Sequence, residues 1–193
     1  MKKKIAIVGS GIAGLTLASL LQTNSNFEFV VYEKGEILNL DEGFGIQLSV
    51  NSVSILNKIG FNEIDKNEKY NPPQLDFYTL NYKKICDLNL TKFNSETHKY
   101  TTLKRSTLIK FLKEKIFSNS ITFCKEIRGI EPIINEKINI RFIDGSSDTV
   151  DHLVVSDGVF SNTKSVIEKF FFKPSYYGAI AIRTQIKTQD ISN

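Results

Sequence analysis

A chain of 193 residues with 41% hydrophobic content can bury a sizeable core and has room for one domain or one and a half. Its net charge of +4 comes from lysines scattered among acids, which describes a solvated surface and not the clustered basic stripe of a nucleic-acid binder. Cys86 and Cys124 lie far apart in no CxxC pairing and the histidines are only His98 and His152, which argues against a disulfide framework, a zinc site or a histidine-rich metal site and makes a reducing cytosol the expected compartment.

The first element is a charge-free, largely β-branched run, Ile5-Ala6-Ile7-Val8, as expected of a parallel strand covered on both faces. It leads into Gly9-Ser10-Gly11-Ile12-Ala13-Gly14. In that pattern the first glycine permits the tight turn, the second lets a pyrophosphate approach the backbone, and the third lets the helix pack against the sheet. An apolar helix follows through Leu15, Leu17, Ala18, Leu20 and Leu21, and then a second strand, Phe27 to Tyr32, ends at Glu33. Strand, glycine turn, helix and an acid about 20 residues on form the context that a dinucleotide fingerprint requires. The helix N-terminus offers free N–H groups to phosphates, and the acid can accept from ribose hydroxyls. Lys2-Lys3-Lys4 before an uncharged stretch imitates a secretory signal, but three glycines and Ser10 interrupt the run and no convincing cleavage site follows. It also falls short of the ~20 residues of a membrane span.

Glu42-Gly43-Phe44-Gly45-Ile46-Gln47-Leu48 suggests backbone lying close against something flat or bulky. Asn51 is the expected cap of a helix carrying Val53, Leu56 and Ile59 and ending at Gly60. Pro72-Pro73 break the chain before two strand-like runs, Leu75 to Leu80 and Lys84 to Leu88, around Asn81-Tyr82, a hairpin excursion from the nucleotide sheet. Arg105 stands just before a helix with Ser106 as its expected cap and with Leu108, Ile109, Leu112 and Ile116 facing inward; its fork could grip a phosphate or a ribityl oxygen. Ile121 to Phe123 reads as a short strand, and Ile127 to Ile134 and Ile138 to Ile143 as a meander turning at Asn135-Glu136. Asp144-Gly145 sits between strand-like runs and reads as a hairpin turn. Asp157-Gly158 instead follows the apolar strand Leu153-Val154-Val155 and precedes a helix begun at Ser161 or Asn162, so Asp157 belongs at the carboxyl end of a sheet strand, where open α/β sheets bind ligands.

These motifs, in this order, resemble the amino-terminal part of the flavin-dependent aromatic hydroxylases of the para-hydroxybenzoate and salicylate hydroxylase type, a family that includes ring hydroxylases of ubiquinone synthesis. The match runs over nearly the whole chain: Gly9 to Gly14 with Glu33, Gly43 to Leu48 with Asn51 and Leu56, Arg105 with Leu108, and Asp157-Gly158 with Ser161. The resemblance implies an α/β fold, a Rossmann-like FAD-binding domain whose parallel sheet is joined by a β-meander, plus the beginning of a β-rich substrate domain. The implied segments are 1–70 and 99–172 for the FAD-binding domain, 71–98 for a substrate-domain-like hairpin, and 173–193 for the first strand of an incomplete substrate domain, Tyr177 to Arg183. The family's chain continues into further substrate strands and a Gly-Asp motif, so the expectation is a truncated or split chain with a missing carboxy-terminal half.

The resemblance assigns the cofactor site residue by residue. Gly9, Ser10, Gly11, Ile12, Ala13 and Gly14 would hold the FAD pyrophosphate, and Glu33 and Lys34 the adenosine ribose region. Ile127 would meet the adenine edge, Arg105 the ribityl and phosphate region, and Gly45 and Ile46 the isoalloxazine ring, while Asp157 and Gly158 would support both FAD and the reductant, NADPH or NADH. Ser156 and Lys164 depart from the alanine and arginine frequent in the family. The implied reaction is hydroxylation of a phenolic or quinone-precursor ring with NAD(P)H and O2, with no catalytic side chain in this part because the flavin carries the chemistry. Expected partners are a small aromatic substrate, no nucleic acid and at most a peripheral membrane association. Two other readings remain: a nicotinamide-dependent Rossmann oxidoreductase, which gives no role to Gly43 to Leu48 or Asp157-Gly158, and a noncatalytic flavin-binding remnant or assembly partner.

Overall fold

The opening unit folds as its periodicity predicts, into β1 (Lys3–Val8), α1 (Ile12–Gln22) and β2 (Phe27–Tyr32). Next come β3 (Gly45–Leu48), α2 (Val50–Asn57), β4 (Lys69–Tyr70), β5 (Gln74–Tyr78), β6 (Lys84–Asn89), β7 (Thr101–Lys104) and α3 (Arg105–Glu114). The chain then forms β8 (Ile121–Thr122), β9 (Ile127–Pro132), β10 (Ile138–Phe142), β11 (Ser147–Val150), β12 (His152–Val155) and α4 (Asn162–Glu168). The computed structural model describes residues 2–38, 40, 43–132, 136–171 and 173–182. Contacts divide it into two units, one from 1–40 and 112–182, the other, among the described residues, from 41–111. This contact-based division cuts the chain elsewhere than the segments read from sequence, which follow the domains of a whole hydroxylase.

In the first unit a parallel sheet runs in the order β12-β1-β2-β8, with Ile7 of β1 facing Val154 on one side and Val31 on the other. Ile5, Ala6, Ile7 and Val8 are all buried, as a central strand covered on both faces should be. Alternation turns Ala6, Val8 and Tyr32 to one face, where they pack with Ile127, Ile140, Phe142 and Val150 of the antiparallel meander β11-β10-β9. The Tyr32 and Phe142 rings lie 4.6 Å apart and tilted, a geometry worth about 0.5–1.5 kcal/mol beyond the area buried. α1 packs against β1 and β2 through buried Gly14, Leu15 and Ala18. Its one buried hydroxyl, Ser19 Oγ, donates to Leu15 O at 2.7 Å, so the helix interior leaves no polar group unmet there. A polar tie crosses the same core: Asp148 Oδ2 accepts from Tyr32 OH at 2.5 Å and Oδ1 from Lys4 Nζ at 2.6 Å.

In the meander, Gly145 takes φ +84 and donates its N–H to Phe142 O, so Asp144-Gly145 is the expected hairpin turn. Of the other expected turn, Asn135 lies outside the described residues, while Glu136 adopts φ +61.

The second unit has the antiparallel sheet β3-β7-β4 and a separate two-stranded hairpin, β5–β6. Register places Leu75 opposite Leu88 and Phe77 opposite Cys86 on one hairpin face, and Asp76 opposite Asp87 on the other, where Lys84 Nζ bridges both acids at 2.9 and 2.8 Å. Three expectations change. α2 starts at Val50 with Ser49 as its N-cap residue, so Asn51 belongs to the first turn and its carboxamide oxygen accepts from Ser49 Oγ. α3 starts at Arg105, which places Ser106 inside the helix and not at its cap. The stretch from Tyr177 to Ile182 is irregular and exposed, because no described strand neighbours it to satisfy a ladder; Arg183 lies outside the described residues.

Among the described residues no helix is long and apolar enough to cross a membrane, and no group of three or more His, Cys, Asp or Glu could hold a metal ion. Cys86 and Cys124 are free and exposed.

Candidate dinucleotide site

The parallel strands β1, β2 and β12 end at one edge of the first unit, and each end carries a residue singled out by the sequence: Gly9, Glu33 and Asp157. Gly9 has φ +96, and a Cβ there would lie 2.7 Å from Ser156 O and 2.8 Å from Asp157 Cα. At Gly14 a Cβ would come to 2.0 Å from Gly9 O. Packing of the turn against β12 and of α1 against the turn therefore accounts for both glycines. Gly11 is different, since a Cβ added there would meet nothing within 4 Å. It is the N-cap residue of α1, with no side-chain cap and no acid in the first turn, so the leading N–H groups and the positive helix end are left for an external anion.

Glu33 is held from three directions. Oε2 accepts from Ser10 N at 2.9 Å and Ser10 Oγ at 2.6 Å, and Oε1 from Gly35 N at 2.9 Å. Burial alone would raise its pKa, but these donors, the Ser10 hydroxyl first, outweigh it with help from the Lys34 charge and hold the carboxyl below the usual range. Asp157 Oδ2 accepts from the Thr163 backbone N–H at 3.3 Å at the start of α4, which begins at Asn162, one of the two expected starts, with Ser161 as its cap. Its Oδ1 is buried and has no partner, one of two such side-chain atoms among the described residues. A buried carboxylate oxygen without a donor is costly, and a ligand hydroxyl would satisfy it.

An open cleft of about 170 Å³ joins these features. It brings together Gly9, Gly11, Glu33, Lys34, Ile127, Asp157 and Gly158 of the residues chosen from sequence. Ser10 touches the site through Glu33, while Ile12, Ala13 and Gly14 belong to α1 and do not line the cleft. Gly45, Ile46 and Arg105 are in the second unit. There a Cβ on Gly43, which has φ +101, would lie 2.7 Å from Arg105 Cδ, so the bulky neighbour expected beside Gly43-Phe44-Gly45 is the arginine side chain itself. Phe44 O also accepts from Arg105 N at 3.0 Å.

Sequence reasoning missed Tyr32, Lys125, Asn162 and Thr163 in the lining. Lys125 Nζ pairs with Asp144 at 2.5 Å and sits 5.2 Å from the centre of the Phe142 ring, an arrangement no local pattern signals. Asn162 and Thr163 could have been found from the capping serine before them, because the first turn of a helix following Asp157-Gly158 must face the same strand end. Ser156, a departure from the family pattern, donates its hydroxyl to Val8 O at 2.8 Å and so ties β12 to β1.

Residues 7–39 match the family described as NAD(P)-binding Rossmann-like domain. A 3-amino-4-hydroxybenzoate 2-monooxygenase of Streptomyces platensis is 26% identical over 171 residues, covering 86% of this chain and 42% of that protein. An FAD-dependent monooxygenase of a Nectria species is 31% identical over 173 residues, covering 83% of this chain and 22% of its own length. Among solved structures, 2,6-dihydroxypyridine-3-hydroxylase from Arthrobacter nicotinovorans superposes with a TM-score of 0.72 at 19% identity over 92% of this chain and 42% of that one. An FAD complex of HpxO from Klebsiella pneumoniae gives 0.71 at 21% identity, over 88% and 43%. The chain thus spans under half the length of the relatives it matches. In sequence this chain is similar to proteins named as monooxygenases, and its Rossmann-like fold is the one it shares with the solved structures it superposes on.

Proposed function

We propose that the chain binds FAD along the carboxyl edge of its parallel sheet and, completed by the remainder that its relatives possess, works as an NAD(P)H-dependent flavoprotein monooxygenase on a small aromatic ring. The observation that carries the reading is the cradle at that edge. Gly11 has empty space where a side chain would be, α1 begins uncapped beside it, and the buried Oδ1 of Asp157 lacks a donor. Those features fit a dinucleotide's pyrophosphate and hydroxyls.

In this reading the α1 amides hold the pyrophosphate, Glu33 accepts from the adenosine ribose, and Ile127 lies against the adenine. Asp157 takes a hydroxyl of the linking chain, with Gly158 beside it leaving room for the reductant. Arg105, Gly45 and Ile46 are assigned by resemblance to the ribityl chain and the flavin ring. The flavin, when bound, would supply the redox chemistry of an NAD(P)H- and O2-dependent hydroxylation. This chain's residues bind and orient it. A cytoplasmic location is the compartment proposed for this chemistry.

Titration of the purified chain with FAD, followed by quenching of flavin fluorescence, is the direct test. Saturable binding displaced by ADP and not by riboflavin supports the reading; no binding, or binding insensitive to ADP, overturns it. The Rossmann-like match between residues 7 and 39 also favours a second reading, a nicotinamide dinucleotide in the same cleft, which a tighter constant for NAD or NADP than for FAD would select.

A further inference from the structure

A carboxylate offers about four lone-pair positions to donors, and the protein already fills three on Glu33. Ser10 supplies two donors to the same oxygen, Oε2, through its backbone N–H at 2.9 Å and its hydroxyl at 2.6 Å. Gly35 N–H occupies one position on Oε1. Ser10 is only 4% exposed, so water does not compete for its hydroxyl, and the backbone amide is fixed by the turn that Gly9 makes. Nothing in the glycine fingerprint asks for a hydroxyl at this position; its requirements concern the turn, the approach of phosphate and the packing of the helix.

We infer that Ser10 is a positioning residue that saturates Oε2 of Glu33, leaving Oε1 as the one atom open to a nucleotide, so that the site reads a single ribose hydroxyl instead of the 2′ and 3′ pair. The inference rests on the nucleotide reading above and deepens it. A second ribose hydroxyl would have to displace a donor from Oε2, and only the Ser10 side chain can turn away. Ser10 also helps to hold the Glu33 carboxyl below its ordinary range, since its hydroxyl leads the donors that oppose burial. The other charged groups around Glu33 are Lys34 next to it and, on the cleft wall, Lys125, Glu126 and Asp157. Lys125 is bound to Asp144, and Glu126 accepts from Asn162.

The test is calorimetric titration of the chain with ADP, 2′-deoxy-ADP and 3′-deoxy-ADP, with FAD measured in parallel. In the unaltered protein one deoxy analogue should bind about tenfold more weakly than ADP, the worth of one charge-assisted hydrogen bond, and the other within about twofold. In Ser10→Ala the freed position on Oε2 lets the second hydroxyl count, so both analogues should lose about fivefold or more. The pH at which ADP affinity falls on acidification should move upward in Ser10→Ala, because Glu33 protonates more readily without the hydroxyl, and Ser10→Thr should restore it. Equal losses for the two analogues in the unaltered protein overturn the inference while leaving nucleotide binding intact; should neither ADP nor FAD bind, both readings fall together. The analogue series on the unaltered protein decides the matter even where Ser10→Ala fails to fold.

Discussion

Three glycines within a stretch of six residues carry different burdens, and substitution should separate them. Gly14→Ala drives a methyl to 2.0 Å from Gly9 O, backbone that cannot yield without moving the turn. The expected loss is at least the ~1–3 kcal/mol of core overpacking, read as a lowered thermal midpoint. Gly11→Ala meets no protein atom, so it should cost under about 1 kcal/mol as an N-cap change, while FAD affinity drops markedly. Equal effects of the two on stability would show that Gly11 also serves packing. Glu33→Ala should weaken FAD by about tenfold or more, the worth of a charge-assisted bond, in the same fluorescence titration. An unchanged constant would remove Glu33 from the site.

Among elements, β5–β6 stands apart. It is a lone two-stranded sheet, amphipathic by register, with Leu75, Phe77, Cys86 and Leu88 on one face and the Lys84 ion triad on the other. Such a hairpin is marginal alone, whereas β1 is paired on both sides. Hydrogen exchange should therefore find amides of Phe77 and Cys86 about 100-fold or more less protected than those of Ile7 and Ala6; comparable protection would mean the hairpin is fastened in some further way. The elements most legible in the sequence were those whose signal is local. The Ile5 to Val8 part of β1 and the Leu153 to Val155 part of β12 announce themselves as short apolar runs, β2 as an aromatic and β-branched run interrupted by Glu28, and α4 as a helix begun at Ser161 or Asn162. Start points of α2 and α3 were misread because both Ser49 and Asn51 can cap, and because β7 runs directly into α3 with no intervening loop. The wall formed by Lys125 was invisible for another reason: its place is set by Asp144 and Phe142, residues brought near only by the meander.

For the whole molecule, acidity probes the tie between sheet and meander. Burial would raise the Asp148 carboxyl, yet Lys4 and Tyr32 outweigh it and hold it below its ordinary value. A group lowered on folding adds stability above its unfolded pKa of about 3.9 and loses it as pH falls through the folded value. Asp144, held down to about 2 chiefly by Lys125, acts in the same sense. Tyr32 runs the other way: burial, then the Asp148 hydrogen bond and charge, raise its hydroxyl far above the usual value, so its contribution is full below about pH 10 and fades as alkali ionises it. Denaturant unfolding should thus show a neutral plateau with losses at both ends. Asp148→Asn should lower the plateau and shrink the acid loss; an acid limb unaltered by that change would rule the tie out. The order of the sheet also bears on how the protein is made in the cell. β1 leaves the ribosome first, but its flank on one side is β12, residues 152–155, and the floor of the cleft includes Asp157 and Thr163. A nascent chain therefore has nowhere to seat a coenzyme until most of this sequence has emerged, and during synthesis the apolar edge of β1 is a natural client for chaperones.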